Sequence, residues 1–248
     1  MSIKNLQQDW QELGELDPCY AVLSHADKKF GKWDETAFFA TGEDEVARLM
    51  ERVASFSLPL ARAHALDFGC GLGRLTRALA SRFAEVTGVD IAVSMIDGAK
   101  KVNAAFPACH FIVNTTPDLA LFAENTFDLV YSSIVLQHVS DPEARKAYIR
   151  EFVRVLKPGG IVAFQLPSRI PWKFRLQPTR RVYHFLHALG VSADTLYKKL
   201  NLVPIAMNFL TEEGVRHEVE AAHGKVLSSE RDTFSGPSVE SRTYFVGK

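Results

Sequence analysis

The sequence predicts an α/β protein built on a doubly wound, mostly parallel sheet. Three observations carry this. A short apolar run, His64 to Phe68, breaks into glycines at alternate positions, Gly69, Gly71 and Gly73. It then continues as a helical pattern through Leu75, Leu79 and Phe83, which reads as a strand, a tight turn and a helix. Strand candidates at 63–68, 84–89, 108–113, 127–131 and 160–166 alternate with helix candidates at 73–82, 93–105 and 142–156, as parallel βαβ units do. The alternation stops at 168–206, then resumes with a helix at 211–223 and strands near 224–233 and 239–247. Gly236-Pro237 lies between those two strands and reads as a hairpin loop, so the last strand is predicted antiparallel.

Each element has a local cause. Leu6, Trp10, Leu13 and Leu16 recur at helical spacing before Asp17-Pro18, a stop-and-restart signal because proline suits a first helical turn. A second helical stretch runs from Asp34 through Val53, with a bend expected at Gly42. Its aromatic side chains allow two readings: helices packed on the sheet, or a cap over an active-site mouth formed by Tyr20 through Phe39. Asp141-Pro142 supplies an N-cap and an N1 proline, and Lys157-Pro158-Gly159-Gly160 turns that helix into the next strand. The insertion has a helical stretch from about Pro178 to Leu189 and is longer than an ordinary αβ connection. The chain is thus expected to form a single domain. Residues 1–60 make an N-terminal helical cap, 61–167 and 207–248 the core, and 168–206 a helical lid before the last two strands.

Composition narrows the functional classes. The 248 residues are 47% hydrophobic with zero formal net charge, so the whole-chain field gives no case for a nucleic-acid partner. Three scattered cysteines, Cys19, Cys70 and Cys109, read as reduced thiols of a cytoplasmic protein. They do not form a zinc signature, and no metal is expected. No apolar run reaches the length of a membrane span, and the polar, acidic N-terminus does not look like a signal peptide. Residues 1–60 carry 11 acidic and 6 basic side chains, whereas Ser168 to Leu200 carries seven Lys/Arg and one acid, Asp194.

The glycine turn discriminates between ligands. A dinucleotide fingerprint needs G-x-G-x-x-G, and counting from Gly69 its last position is Arg74. The stretch is instead D-x-G-C-G-x-G, with Asp67 two residues before the first glycine. A carboxylate there suits a cationic group and repels a pyrophosphate. Asp90 ends the second strand, 17 residues after Gly73, where an acid can accept two hydrogen bonds from a ribose diol. Its other reading is an N-cap for the helix starting near Val93, a task Ser94 could also perform.

The turn resembles the first motif of class I S-adenosylmethionine (SAM)-dependent methyltransferases. The stretch Phe127-Asp128-Leu129-Val130, then Leu136-Gln137-His138-Val139, then Arg154-Val155-Leu156-Lys157-Pro158-Gly159-Gly160 resembles later motifs of the same class, in order. The resemblance covers about Leu66 to Leu166 and is greatest to bacterial UbiE-like small-molecule enzymes, the methyltransferase type 11 or 25 group. Asp17-Pro18-x-Tyr20-Ala21-Val22 and Phe38-Phe39-Ala40-Thr41-Gly42 are similar to segments in that group. The resemblance implies a Rossmann-like seven-stranded sheet, SAM as cofactor and S-adenosylhomocysteine as product.

Carried over by position, the resemblance implies that Asp67 holds the methionine ammonium, directly or through water. Gly69, Gly71 and Gly73 let the backbone pass beneath the carboxypropyl chain. Asp90 takes the ribose, and Ile91 and Met95 flank the adenine. Many relatives have an acid after the third strand, where this chain reads Asn114-Thr115-Thr116, so a hydroxyl or backbone group must make the adenine contact. Ser132 and Ser133 fall on the methionine side. Arg74 either pairs with the methionine carboxylate or faces outward. His138 is the candidate general base, or a helix-start histidine with a structural bond. Tyr20, His25, His184 and His187 are candidates for acceptor contact, the last two at i, i+3 on a face that either meets the pocket or is merely solvated or packed. The basic insertion has three readings: a lid for an anionic or carrier-bound acceptor, a membrane-surface contact, or a solvated face offset by the acidic N-terminal segment.

The function implied is transfer of a methyl group to a small organic acceptor, read as O-methylation in secondary or cofactor metabolism. The alternatives are a SAM-binding scaffold without turnover and an NAD-dependent oxidoreductase, which Arg74 in place of the third glycine opposes.

Overall fold

The computed structural model describes residues 3–248. Seven strands form one sheet: β1 (His64–Phe68), β2 (Glu85–Asp90), β3 (Cys109–Val113), β4 (Phe127–Ser132), β5 (Leu156–Arg169), β6 (Lys225–Asp232) and β7 (Glu240–Gly247). Their order is β3-β2-β1-β4-β5-β7-β6. All neighbours from β3 to β5 pair in parallel, and β7 runs antiparallel to both β5 and β6. The chain moves outward from β1 through β2 to β3, then crosses back to place β4 on the other side of β1. That reversal opens a crevice at the carboxyl ends of β1 and β4, the usual ligand position in a doubly wound sheet.

Helices cover both faces. Leu66, Val130, Phe164 and Tyr244 on one face pack with Phe152, Val153, Val215 and Val219. These come from α6 (Pro142–Val155) and α10 (Glu212–Ala221). On the other face Ala65, Leu129, Ile161 and Phe245 meet Val46, Leu49, Leu75 and Leu79, from α3 (Glu35–Ala54) and α4 (Arg74–Leu79). The remaining helices are α1 (Ile3–Leu16), α2 (Pro18–Val22), α5 (Val93–Val102) and, in the insertion, α7 (Trp172–Arg175), α8 (Pro178–Ala188) and α9 (Ala193–Lys198).

The starts of the helices follow capping chemistry. Asp34 accepts from Ala37 N at 2.8 Å, and Asp141 from Glu143 N at 2.9 Å ahead of Pro142, satisfying donors that the first turn leaves open. A bend was expected at Gly42; α3 runs through it as one helix, Glu35–Ala54. Gly42 instead lies against the backbone and side chain of Arg74, where a Cβ would clash, so its role is close helix–helix approach.

The N-terminal segment and the insertion are joined. The Tyr197 hydroxyl donates to Asp17 Oδ2 at 2.5 Å, and Gly31 N donates to the same oxygen at 2.8 Å. Lys29 is buried, bonded to Asn201 Oδ1, with its ammonium 4.7 Å from the Tyr197 ring centre and 5.2 Å from that of Phe30. Arg180 of α8 lies 3.6 Å from Asp9 of α1, and Tyr183 donates to Glu12 Oε2 at 3.2 Å. The N-terminal segment and the insertion thus share a polar seam, with one Arg–Asp pair across it. No helix among the described residues is long and apolar enough to cross a membrane.

Candidate active site

A cavity of about 510 Å³ lies over the carboxyl ends of β1, β2 and β4. Its floor is the glycine turn. Gly69, Gly71 and Gly73 all have left-handed φ, +77°, +51° and +80°, which a side chain would oppose. Gly69 N and Cys70 N both donate to Val89 O, at 2.8 and 2.9 Å, tying the turn to β2. Gly69 and Gly71 face the cavity, where added Cβ atoms would strike Val135 and Val22. Gly73 does not line it. This third glycine is the N-cap of α4, pressed against Phe111 and Asn103, so its task is packing.

Asp90 lines the cavity at the end of β2. Its Oδ2 accepts from Gly71 N at 2.9 Å and its Oδ1 from Ala92 N at 3.0 Å. A carboxylate has about four lone-pair positions, so two remain for a diol. Burial raises its pKa, and the backbone N–H bonds oppose that rise. The capping reading is not met. Ala92 is the N-cap of α5, and Ser94 bonds Gln11 of α1 through both its N–H and its hydroxyl. Ile91, Met95 and Asn114 line the same end of the cavity. Thr115 does not, and Asn114 Nδ2 reaches back to Asp118 O at 2.8 Å.

Asp67 sits under the turn rather than in the cavity wall. One carboxylate oxygen accepts from Thr76 Oγ1 at 2.6 Å, and Oδ1 is buried with no hydrogen-bond partner among the described residues. Burial pushes its pKa up to about 7, opposed by the Thr76 bond and the Arg74 charge. Arg74 does not face outward. It is buried, lines the cavity, pairs with Glu45 at 2.8 Å and leaves Nε without a partner among the described residues. Glu45 in turn accepts from the Tyr131 hydroxyl at 2.8 Å. Two orphaned polar atoms of opposite charge, Asp67 Oδ1 and Arg74 Nε, therefore flank the turn. That donor set fits an amino-acid zwitterion, and the Asp90 end fits a ribose. The residues present thus suit SAM.

The opposite wall has a different character. It comes from α1, the 3₁₀ turn Leu136–His138, the segment 205–207 and the β6–β7 hairpin loop 233–236. His138 Nδ1 is 2.6 Å from Ala206 O, so that nitrogen carries the proton. Its Nε2 lies 3.2 Å from Gln137 Nε2 and accepts from that amide. Trp10 covers the ring at 5.2 Å between centres. Burial lowers the His138 pKa to about 4, so the ring is neutral, and the residue lines the cavity. Ile134 lines the same wall with φ of +60°, a strained conformation for a β-branched residue. Gln165 Oε1 holds its N–H at 3.2 Å.

The other expected residues separate. Ser133 lines the cavity, whereas Ser132 Oγ is buried beside it, unpartnered among the described residues. His25 lines the mouth. Tyr20 lies outside the lining, its ring 6.1 Å from Tyr197. His184 and His187 do not reach the cavity. They lie 3.5 Å from Asp9 and 3.7 Å from Glu12, because α8 packs on α1. Residues not singled out from sequence, Trp10, Gln137, Ile205, Met207 and Thr233 to Gly236, build much of the wall. Gln137 stood inside the Leu-Gln-His-Val motif. The loop could be found only by knowing that the hairpin folds over β5.

Residues 66–164 match the family model described as a methyltransferase domain. The ubiquinone biosynthesis O-methyltransferase of Xanthomonas oryzae pv. oryzae is 36% identical over 123 residues, 49% of this chain and 50% of that protein. The trans-aconitate 2-methyltransferase of Paracidovorax citrulli is 33% identical over 166 residues, 64% of this chain and 58% of that protein. The chain thus spans about half the length of the curated relatives it matches. Among solved structures, magnesium protoporphyrin IX methyltransferase from Synechocystis with bound S-adenosylhomocysteine aligns with a TM-score of 0.62 at 16% identity, covering 99% of each chain. A SAM-dependent methyltransferase from Methanosarcina mazei aligns with a TM-score of 0.57 at 22% identity, over 76% of this chain and 94% of that one. At these identities the structural likeness speaks to the fold.

Proposed function

We propose that this chain, which carries a class I SAM-dependent methyltransferase domain at residues 66–164, moves a methyl group from SAM to the hydroxyl of a small organic acceptor. The observation that carries this reading is the two-ended cavity. One end offers a carboxylate, glycine backbone and flanking opposite charges, and the other is a largely apolar wall with a neutral imidazole. The two curated relatives named above are both called methyltransferases, one of them an O-methyltransferase, which supports the choice of oxygen.

Asp90 binds the ribose diol while its two backbone bonds fix the carboxylate's direction. Asp67 and Arg74 orient the amino-acid end through ammonium and carboxylate. When bound, SAM supplies a methyl group on a sulfonium, an electrophile already activated by its charge. What the protein adds is chiefly alignment, which can account for a large part of a barrier reduction. His138 Nε2 takes a hydrogen bond from the acceptor hydroxyl in place of the one from Gln137, and receives its proton as the new bond forms. Its depressed pKa keeps it in the accepting form but makes it a weak base. Trp10 and Val135 exclude water from the wall.

Calorimetric titration with SAM, followed by assay for S-adenosylhomocysteine against a panel of phenols, enols and carboxylates, tests the reading. Tight SAM binding with product from at least one hydroxyl acceptor is expected. Binding without turnover of any acceptor points to a scaffold, and absence of SAM binding removes the proposal.

A further inference from the structure

The acceptor end of the cavity carries an unusual polar feature in an uncharged setting. Gln137 is 3% exposed. Its Oε1 accepts from Ser235 Oγ at 2.5 Å and from Gln165 Nε2 at 3.4 Å, while its Nε2 meets His138. Gln165, 1% exposed, also donates to Ser235 Oγ at 2.7 Å and bonds Ser241. The network links the 3₁₀ turn after β4, the middle of β5 and the hairpin loop, three segments far apart in sequence. Buried amides cost free energy unless satisfied, and here both lone pairs of the Gln137 carbonyl are used. One Gln137 N–H reaches His138, and the second is left for a ligand. Around it stand Leu6, Trp10, Val139, Ile205, Met207 and Phe234.

Charge is missing from this wall. Among the described residues that line the cavity, Arg74 and Asp90 alone carry a permanent charge, and both lie at the glycine turn. Two cations packed on segments of this wall bond backbone carbonyls, and Arg145 keeps a buried Nε without a partner among the described residues. Arg145 donates to Val139 O and to Phe209 O at 3.2 Å, and Arg180 donates to Pro204 O at 2.9 Å and lies beside Asp9. Among the described residues, no Lys or Arg of the insertion lines the cavity. A carboxylate bound here would be desolvated with no lining cation among the described residues to meet it.

Resting on the methyltransferase reading above, we propose that Gln137, braced by Ser235 and Gln165, is a specificity-determining residue that binds the hydroxyl of an uncharged, mostly apolar acceptor and that this wall rejects anions. The amide supplies a donor to the hydroxyl oxygen while His138 Nε2 accepts its proton. Both hydrogen bonds can form on a neutral alcohol or phenol with no net charge buried. The hairpin loop closes the far side, so the apolar body of the acceptor lies against Phe234 and Met207.

The test uses the full chain saturated with S-adenosylhomocysteine, and the quenching of Trp10 in a Trp33→Phe, Trp172→Phe background. The probes are 4-pentylphenol, 5-(4-hydroxyphenyl)pentanoate and pentylbenzene. The phenol is expected to bind at least tenfold more tightly than the carboxylate. Gln137→Leu is expected to cut the preference for the phenol over pentylbenzene at least fivefold, the His138 bond remaining, while S-adenosylhomocysteine affinity stays within threefold. Met207→Lys should shift the phenol-to-carboxylate ratio toward the carboxylate by tenfold or more. Equal or tighter carboxylate binding by the unmodified wall, or an undiminished phenol preference in Gln137→Leu, overturns the proposal, as does failure of both phenols to bind. Loss of S-adenosylhomocysteine binding at the outset would instead overturn the cofactor reading.

Discussion

Gly71 N donates to Asp90 Oδ2 at 2.9 Å, so the turn after β1 and the end of β2 form one hydrogen-bonded unit. The carboxylate proposed to bind the ribose also shapes the turn beneath the amino-acid end. Asp90→Ala is therefore expected to cost more than a ribose contact. Hydrogen bonds to a charged group contribute about 1.5–3 kcal/mol each, so losing the two ribose bonds should lower affinity for SAM by roughly 150-fold or more. Asp90→Asn keeps one acceptor oxygen and should lose less. Isothermal titration of both variants, with far-ultraviolet circular dichroism to show an intact fold, checks the ordering.

Asp67, proposed to hold the SAM ammonium, is expected to make SAM binding depend on pH. Its folded pKa is raised to about 7 by burial, above the unfolded value of about 3.9. The folded protein therefore holds a proton that the unfolded chain releases. Stability from this group is greatest below about pH 4 and is lost as pH rises through 7. An ammonium brought beside Oδ1 favours the ionised carboxylate, so binding releases this proton and tightens as pH rises from about 6 to 7.5. Calorimetry in buffers of different ionisation enthalpy should show the release, and Asp67→Asn should abolish that component.

The seam between the N-terminal segment and the insertion should behave as one unit. Tyr197→Phe removes the bond to buried Asp17 and leaves the Gly31 N–H as its closest remaining partner. A lost hydrogen bond to a buried charge costs about 1–3 kcal/mol, or a few degrees in Tm for a chain of this size. Hydrogen exchange should then increase together in α2 and α9, two elements far apart in sequence. An increase confined to α9 would show that they move independently.

How far the sequence revealed this arrangement depends on the range of the forces involved. The glycine turn and the position of Asp90 at a strand end were legible because local backbone demands set them, with left-handed φ at Gly69 and Gly71; the antiparallel last strand followed from the hairpin signal at Gly236-Pro237. Arg74 was ambiguous because its inward direction depends on Glu45, 29 residues away on α3. His184 and His187 share a helical face as their spacing implied, but tertiary packing turned that face to Asp9 and Glu12. Ser235 meets Gln137 across 98 residues, and no periodicity or turn signal encodes a contact of that kind.

His138 provides the sharpest separation of chemistry from binding. Its Nδ1–H is fixed by Ala206 O, and its pKa is depressed to about 4 by burial. The neutral ring is favoured in the folded state, so its stabilising contribution is present above about pH 6.5 and is lost as pH falls from there through 4. Over pH 6–8 the ring does not titrate, and kcat should show no step from it in that range. His138→Ala should leave SAM affinity within about threefold, because the ring stands on the opposite wall. It should lower kcat toward a hydroxyl acceptor by roughly 10²-fold, the lower end for general-base assistance. His138→Asn, which retains a donor toward Ala206 but lacks a basic nitrogen, distinguishes the roles. If the imidazole only braces segment 205–207, Asn restores kcat. If Nε2 takes the proton, Asn remains as slow as Ala while the melting temperature recovers.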